Sequence, residues 1–173
     1  MKGLDRSLSR GPHPIKQHFT RHTLKIKNVT VAVSATGAAV GFGTVVLGDL
    51  PQGNILFTGA VGYLKLDGSG ADANLTADWE GDFSVGSAPD ADGSLAGAEV
   101  DLLPSTALAA ATAEIGVRTR SVNATAAMLD NTDGSLEINL NVLIDAADIT
   151  DDQSVNLTVN GEIELVYMVI LDD

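Results

Sequence analysis

The stretch from Gly134 to Asp173, GSLEINLNVLIDAADITDDQSVNLTVNGEIELVYMVILDD, carries the alternation that decides the fold. Leu136, Ile138, Leu140, Val142 and Ile144 are spaced by two and separated by Glu137, Asn139 and Asn141. A strand sends successive side chains to opposite faces, so this pattern predicts a half-buried β-strand. Val155, Leu157 and Val159 repeat it, and Asn160-Gly161 then supplies a dipeptide suited to a two-residue hairpin turn with φ > 0. The return strand has Ile163, Leu165, Tyr167, Val169 and Leu171 on one face, while the other changes from Glu162 and Glu164 to Val166, Met168 and Ile170. Such a strand begins half exposed and ends covered on both sides, as at the centre of a sandwich or in a subunit interface.

Working outward, the same period recurs. Leu24 and Ile26 alternate with Lys25 and Lys27, the phase slips at Asn28, and Val29, Val31 and Val33 resume it, which predicts a strand with a bulge. Further strands are predicted at 43–47, 54–66 and 73–85, punctuated by turn residues at 49–53, 67–70 and 89–93. Pro104, Ser105, Thr106 and the alanine-rich run to Glu114 fit either a short helix or an ordered loop. Residues 116–126 return to an exposed-strand alternation. Seven to nine short strands without a βαβ rhythm or an internal repeat indicate an all-β protein, a β-sandwich or jelly roll.

Composition bounds the chemistry. The chain has 173 residues, 18 Gly, 4% aromatic residues and no Cys, so small and β-branched side chains must fill the core, without disulfides or thiolate ligands. Net charge is −13, but it is split. Residues 1–27 hold Lys2, Arg6, Arg10, Lys16, Arg21, Lys25 and Lys27 against Asp5, whereas residues 28–173 hold Lys65, Arg118 and Arg120 against 22 acids. An extended basic N-terminal arm over 1–27 thus precedes an acidic domain over 28–173, and those seven basic residues are the candidate partner-binding set. An acidic protein surface suits the arm better than nucleic acid. Phe19 is its one aromatic residue, no recognition-helix pattern is present, and the acidic body would repel a polyanion. The uncharged stretch 28–48 has one Leu and four Gly, too weakly apolar for a membrane span despite the Gly37/Gly41 spacing.

No catalytic constellation emerges. His13, His18 and His22 fall on the arm, where a general base could not be held in place. Gly41-Phe42-Gly43 is not a dinucleotide fingerprint, and no phosphate-binding loop occurs. Asp78, Glu80 and Asp82 would share one face of a strand with Trp79 on the other: a solvated acidic face, a Ca²⁺ site, or carboxylates flanking a sugar. Acidic turns at Asp90/Asp92, Asp130/Asp133 and Asp145, Asp148, Asp151 and Asp152 lack the EF-hand register and read first as backbone turns. Catalytic, cofactor and metal residues are accordingly expected to be none. Four N-x-[ST] sequons, at Asn28, Asn74, Asn123 and Asn156, bear only on a eukaryotic secretory route.

The Gly-, Ala-, Thr- and Asp-rich body without Cys, the segment Leu103-Pro104-Ser105-Thr106-Ala107, and the final stretch ending Leu171-Asp172-Asp173 resemble virion proteins of tailed bacteriophages, in particular capsid decoration or cement proteins. The resemblance implies a non-enzymatic structural protein on the capsid surface, a homotrimer, whose arm ties into the lattice of the major capsid protein and whose body stabilises the shell. The doubly apolar last strand also favours self-association. The alternative is a Ca²⁺-assisted glycan- or receptor-binding module of fibre or adhesin type, built on the acidic turns and Trp79.

Overall fold

A computed structural model describes residues 19–37, 39–70 and 72–170. Among the described residues nine strands form one antiparallel sheet: β1 (Thr20–Ser34), β2 (Gly41–Asp49), β3 (Gly53–Asp67), β4 (Gly81–Gly86), β5 (Leu103–Leu108), β6 (Thr119–Asn123), β7 (Ala127–Asn131), β8 (Glu137–Ile144) and β9 (Ser154–Ile170). The described residues include no α-helix, only a single 3-10 turn at Gly97–Glu99. None of their helices is long and apolar enough to cross a membrane. Strand order is β5-β4-β8-β2-β1-β9-β3-β6, with β7 paired to β3 beside β6.

The two ends of this path come together. Thr106 Oγ1 on β5 donates to Ser121 Oγ on β6 at 2.8 Å, and Asn123 Nδ2 donates to the carbonyls of Asp101 and Leu102 at 3.0 and 3.2 Å. The architecture is therefore all-β and barrel-like, a sheet closed almost on itself, with side chains bridging the last gap. Its interior takes Ile138, Leu140, Val142 and Ile144 from β8 and Val155, Leu157, Val159, Ile163 and Leu165 from β9, all at most 1% exposed. The alternation legible in the sequence is thus the inward face of the barrel.

β9 differs from the expected hairpin. Asn160-Gly161 lies inside one continuous strand of 17 residues, roughly 56 Å long at 3.3 Å per residue. It pairs with β1 on one side and β3 on the other, where Gly161 lies opposite both Ile26 and Leu64. A Cβ at Gly161 would stand 2.0 Å from the Tyr63 carbonyl oxygen, so glycine answers a close backbone approach instead of a turn. Asn160 serves the β1 bulge, with Oδ1 accepting the Asn28 N–H at 2.9 Å. That bulge is where the phase slip placed it. Lys27 and Asn28 stand against Asn160 alone, and Asn28 takes φ 52°, a left-handed conformation asparagine tolerates.

Three more expectations change. Residues 103–108 form β5, not a helix. Pro104 lies on a strand at the end of the sheet path, where a missing N–H is tolerated. Of the strand predicted over 73–85, only Gly81 onward is extended; 68–70 and 72–80 belong to a loop that plugs one end of the barrel with Leu75 and Trp79. Trp79 is 1% exposed, and its Nε1 donates to the Glu114 carbonyl at 3.3 Å. The buried Glu114 carboxylate accepts the N–H groups of Gly70 and Asp72, at 2.9 and 3.0 Å, which fixes the loop over the plug. Finally, β1 starts at Thr20, so residues 20–27, counted with the arm from their charge, are strand. The covered end of β9 is present: Tyr167 and Met168 are 6% and 7% exposed although their side chains leave opposite faces.

Candidate functional site

Of the seven basic residues proposed to bind a partner, Lys2, Arg6, Arg10 and Lys16 lie outside the described residues, as do His13 and His18. Arg21, Lys25 and Lys27 belong to β1, held along its length by β9. The register brings their neighbours into rows across four strands. One row runs Thr23, Glu164, Val61, Val122; the next runs Lys25, Glu162, Tyr63, Arg120. Because cross-strand partners share a face, these eight side chains form one outward surface.

That surface is mixed in character. Tyr63 and Val122 are 38% and 43% exposed, and the Arg120 guanidinium lies 5.9 Å from the Tyr63 ring centroid, within cation–π range. Arg21 forms an ion pair with Glu164. Beside it, Arg21, Thr23, Val61, Tyr63, Glu162 and Glu164 line a shallow depression of about 370 Å³. Alternating basic, acidic and aromatic groups on a rigid sheet can recognise a protein surface, since apolar contact is framed by charges that fix orientation. The sequence reading found Arg21 and Lys25 of this face through charge clustering. It missed Val61, Tyr63, Arg120 and Val122, because only the pairing of β3 with β9 and β6 sets them beside Glu162 and Glu164.

His22 is also on β1, with its ring edge-on to Tyr167 at 6.4 Å between centroids. Burial pushes the Tyr167 hydroxyl above its ordinary range.

The Asp78, Glu80 and Asp82 row is not assembled. Asp78 is in a turn, the Glu80 N–H donates to Asp148 Oδ2 at 2.8 Å, and Asp82 is on β4. Trp79, buried as the plug, has no face open to a sugar ring. Several of the acidic turns already hold hydrogen-bond donors, from their own turn at Asp130 and Asp133 and from distant segments at Asp148 and Asp152. Asp130 accepts from Thr132 and Asp133 from Ser135; Asp148 accepts from Thr76 and Glu80, and Asp152 from the Gly37 N–H. The Ser135 hydroxyl, then its amide, hold the Asp133 carboxyl below the usual aspartate range.

The Asp90–Asp92 turn is different, for folding adds a third carboxylate. Oxygens from Asp90, Asp92 and Glu99 lie within 4.8 Å of one another. Comparison with protein-family models and with curated protein sequences yields no match to this chain.

Proposed function

We propose that this chain is a non-enzymatic virion protein that decorates and stabilises a bacteriophage capsid, attached through its basic N-terminal segment to an acidic protein lattice. The observation that carries the reading is the charge division: the basic segment runs directly into β1, which carries Arg21, Lys25 and Lys27 into a body dominated by acids. Copies of such a protein, or any similarly acidic shell subunit, offer the complementary field for the segment. The exposed rows through Tyr63 and Val122 supply an adjoining contact surface, and self-association into a trimer would cover apolar groups left open by one copy. A jelly-roll or sandwich relationship of the barrel belongs to the same proposal.

The test is co-sedimentation of the full-length protein with capsids over a range of salt. It is compared with a full-length variant in which Lys2, Arg6, Arg10 and Lys16 are all changed to Glu. Charge reversal leaves β1 intact, whereas removal of residues 1–27 would delete half of it. Saturable binding that weakens with salt and disappears in the variant is the expected result. Equal binding by both proteins would remove the basic segment from the mechanism. No binding of the wild type even at low salt would end the capsid reading.

A further inference from the structure

The segment between β4 and β5 folds back over the outer face of the wall formed by β4, β8 and β2, and Asn141 holds it there. Asn141 Oδ1 accepts the Asp90 N–H at 2.9 Å and the Thr44 hydroxyl at 2.8 Å, while its Nδ2 donates to the carbonyls of Ala88 and Glu99, both at 3.1 Å. Asp90 is thereby placed with its carboxylate under the loop, 5% exposed. One oxygen, Oδ1, is satisfied by the N–H groups of Asp92 and Gly93, at 3.0 and 2.9 Å. The other, Oδ2, is buried with no hydrogen-bond donor.

A carboxylate oxygen removed from water without a donor is a costly arrangement and calls for a counter-ligand. The surroundings deepen the need. Asp92 and Glu99 bring two further carboxylates to within 4.8 Å, and the ion pairs among the described residues, Arg21 with Glu164 and Lys65 with Asp67, lie elsewhere. Oxygens that share one Ca²⁺ at 2.3–2.6 Å can be at most about 5 Å apart, so the three groups fall within the span of a single Ca²⁺. Asp92 is exposed and Glu99 partly so, leaving an open side for water ligands.

We infer that Asp90, Asp92 and Glu99 form a Ca²⁺ site that fastens the β4–β5 segment to the barrel wall. The inference is independent of the capsid reading, since it rests on a different face of the molecule. Bound Ca²⁺ takes up the orphan Asp90 oxygen and offsets the repulsion among three acids. It also ties the Asp90–Gly93 turn to the 3-10 turn that carries Glu99.

The test is calorimetric titration of the EDTA-treated, desalted full-length protein with CaCl₂ and, separately, MgCl₂, alongside thermal melting. Asp92→Asn and Glu99→Gln keep side-chain shape at solvent-accessible positions, and their melting in EDTA reports whether they remain folded. Expected are a Ca²⁺-dependent rise in Tm, affinity for Ca²⁺ at least ten-fold above that for Mg²⁺, and at least a ten-fold loss of Ca²⁺ affinity in each variant. No heat and no Tm rise up to about 10 mM Ca²⁺, well above the range of weak modular sites, would overturn the proposal. So would a Ca²⁺ response that survives undiminished in both variants, which would place the ion elsewhere.

Discussion

The wall β1–β9–β3 and the seam between β5 and β6 close the same barrel by different means. In the wall, β9 is hydrogen-bonded on both sides, to β1 from Thr20 to Ser34 and to β3 from Asn54 to Asp67, with one register shift in each ladder. At the seam, the contacts are the Thr106–Ser121 hydroxyl pair and the Asn123 amide. Backbone pairing is nearly indifferent to side-chain identity, provided the face rule and the space between strands are respected. Closure by side chains depends on the particular residues. Substitutions in the wall should therefore matter where they touch backbone geometry, and those at the seam where they remove a polar group.

The largest effect is expected at Gly161. Gly161→Ala forces a Cβ against the Tyr63 carbonyl oxygen at the junction of both ladders, and should cost about 3 kcal/mol or more, read as a lowered urea midpoint. A loss below about 1 kcal/mol would show that the ladders yield easily there, and would blunt the distinction. Next is Asn123→Ala, which strips two hydrogen bonds from the seam and should cost about 1–3 kcal/mol in the same assay. Thr106→Val removes one hydroxyl contact and should cost about 0.5–1.5 kcal/mol. Amide hydrogen exchange sharpens the contrast: N–H groups of β9 should exchange near the global unfolding limit, and those of β5 that face the seam well before it.

The smallest effect is a pH dependence at Asp101, whose carbonyl accepts from Asn123. Burial pushes its carboxyl above the ordinary aspartate value of 3.8, against the pull of the Ser87 hydroxyl and amide. A raised folded-state pKa means that the folded chain holds the proton more tightly. The associated stability is fully present below about pH 3.8 and is lost as pH rises through the raised value. Asp101→Asn stays neutral and escapes that loss. Its stability relative to wild type should be more favourable at pH 7 than at pH 3.5, and a difference that does not vary with pH would remove Asp101 from the seam's electrostatics.

Much of the barrel was legible beforehand. Alternation in β8 gave the inward face, and the phase slip at Asn28 gave the bulge. The misread hairpin is instructive, because the evidence against it was in the same residues. In a two-residue hairpin the residues flanking the turn pair across and face the same side, so an inward Val159 would require an inward Glu162. The apolar series continues instead from Val159 through Gly161 to Ile163 without a change of parity, which is the mark of one strand. The seam was harder. Pro104 and the alanine run after it gave a helix-like signal over β5, and nothing local tells a chain that a proline will lie at the end of a sheet path. Trp79 alternated with acids and read as strand, although it enters the core from a loop held by the distant Glu114. The cation site was half legible: Asp90 and Asp92 share a turn signal, but Glu99 joins them only when the 3-10 turn folds over β8.

The placement of β1 has a mechanical consequence for a protein tethered through its N-terminal segment. A pull on that segment reaches the body at Thr20, opposite Tyr167, and one applied along the axis of β1 loads the whole β1–β9 ladder. The bonds of an antiparallel ladder lie across that axis, so the load falls on the bonds from Thr20 to Ser34 in shear, and they must yield nearly together. A pull across the strand would instead peel the same bonds away one by one. A shell fastener subjected to pressure from within would gain from the first geometry, because its grip would fail only when a whole strand slides.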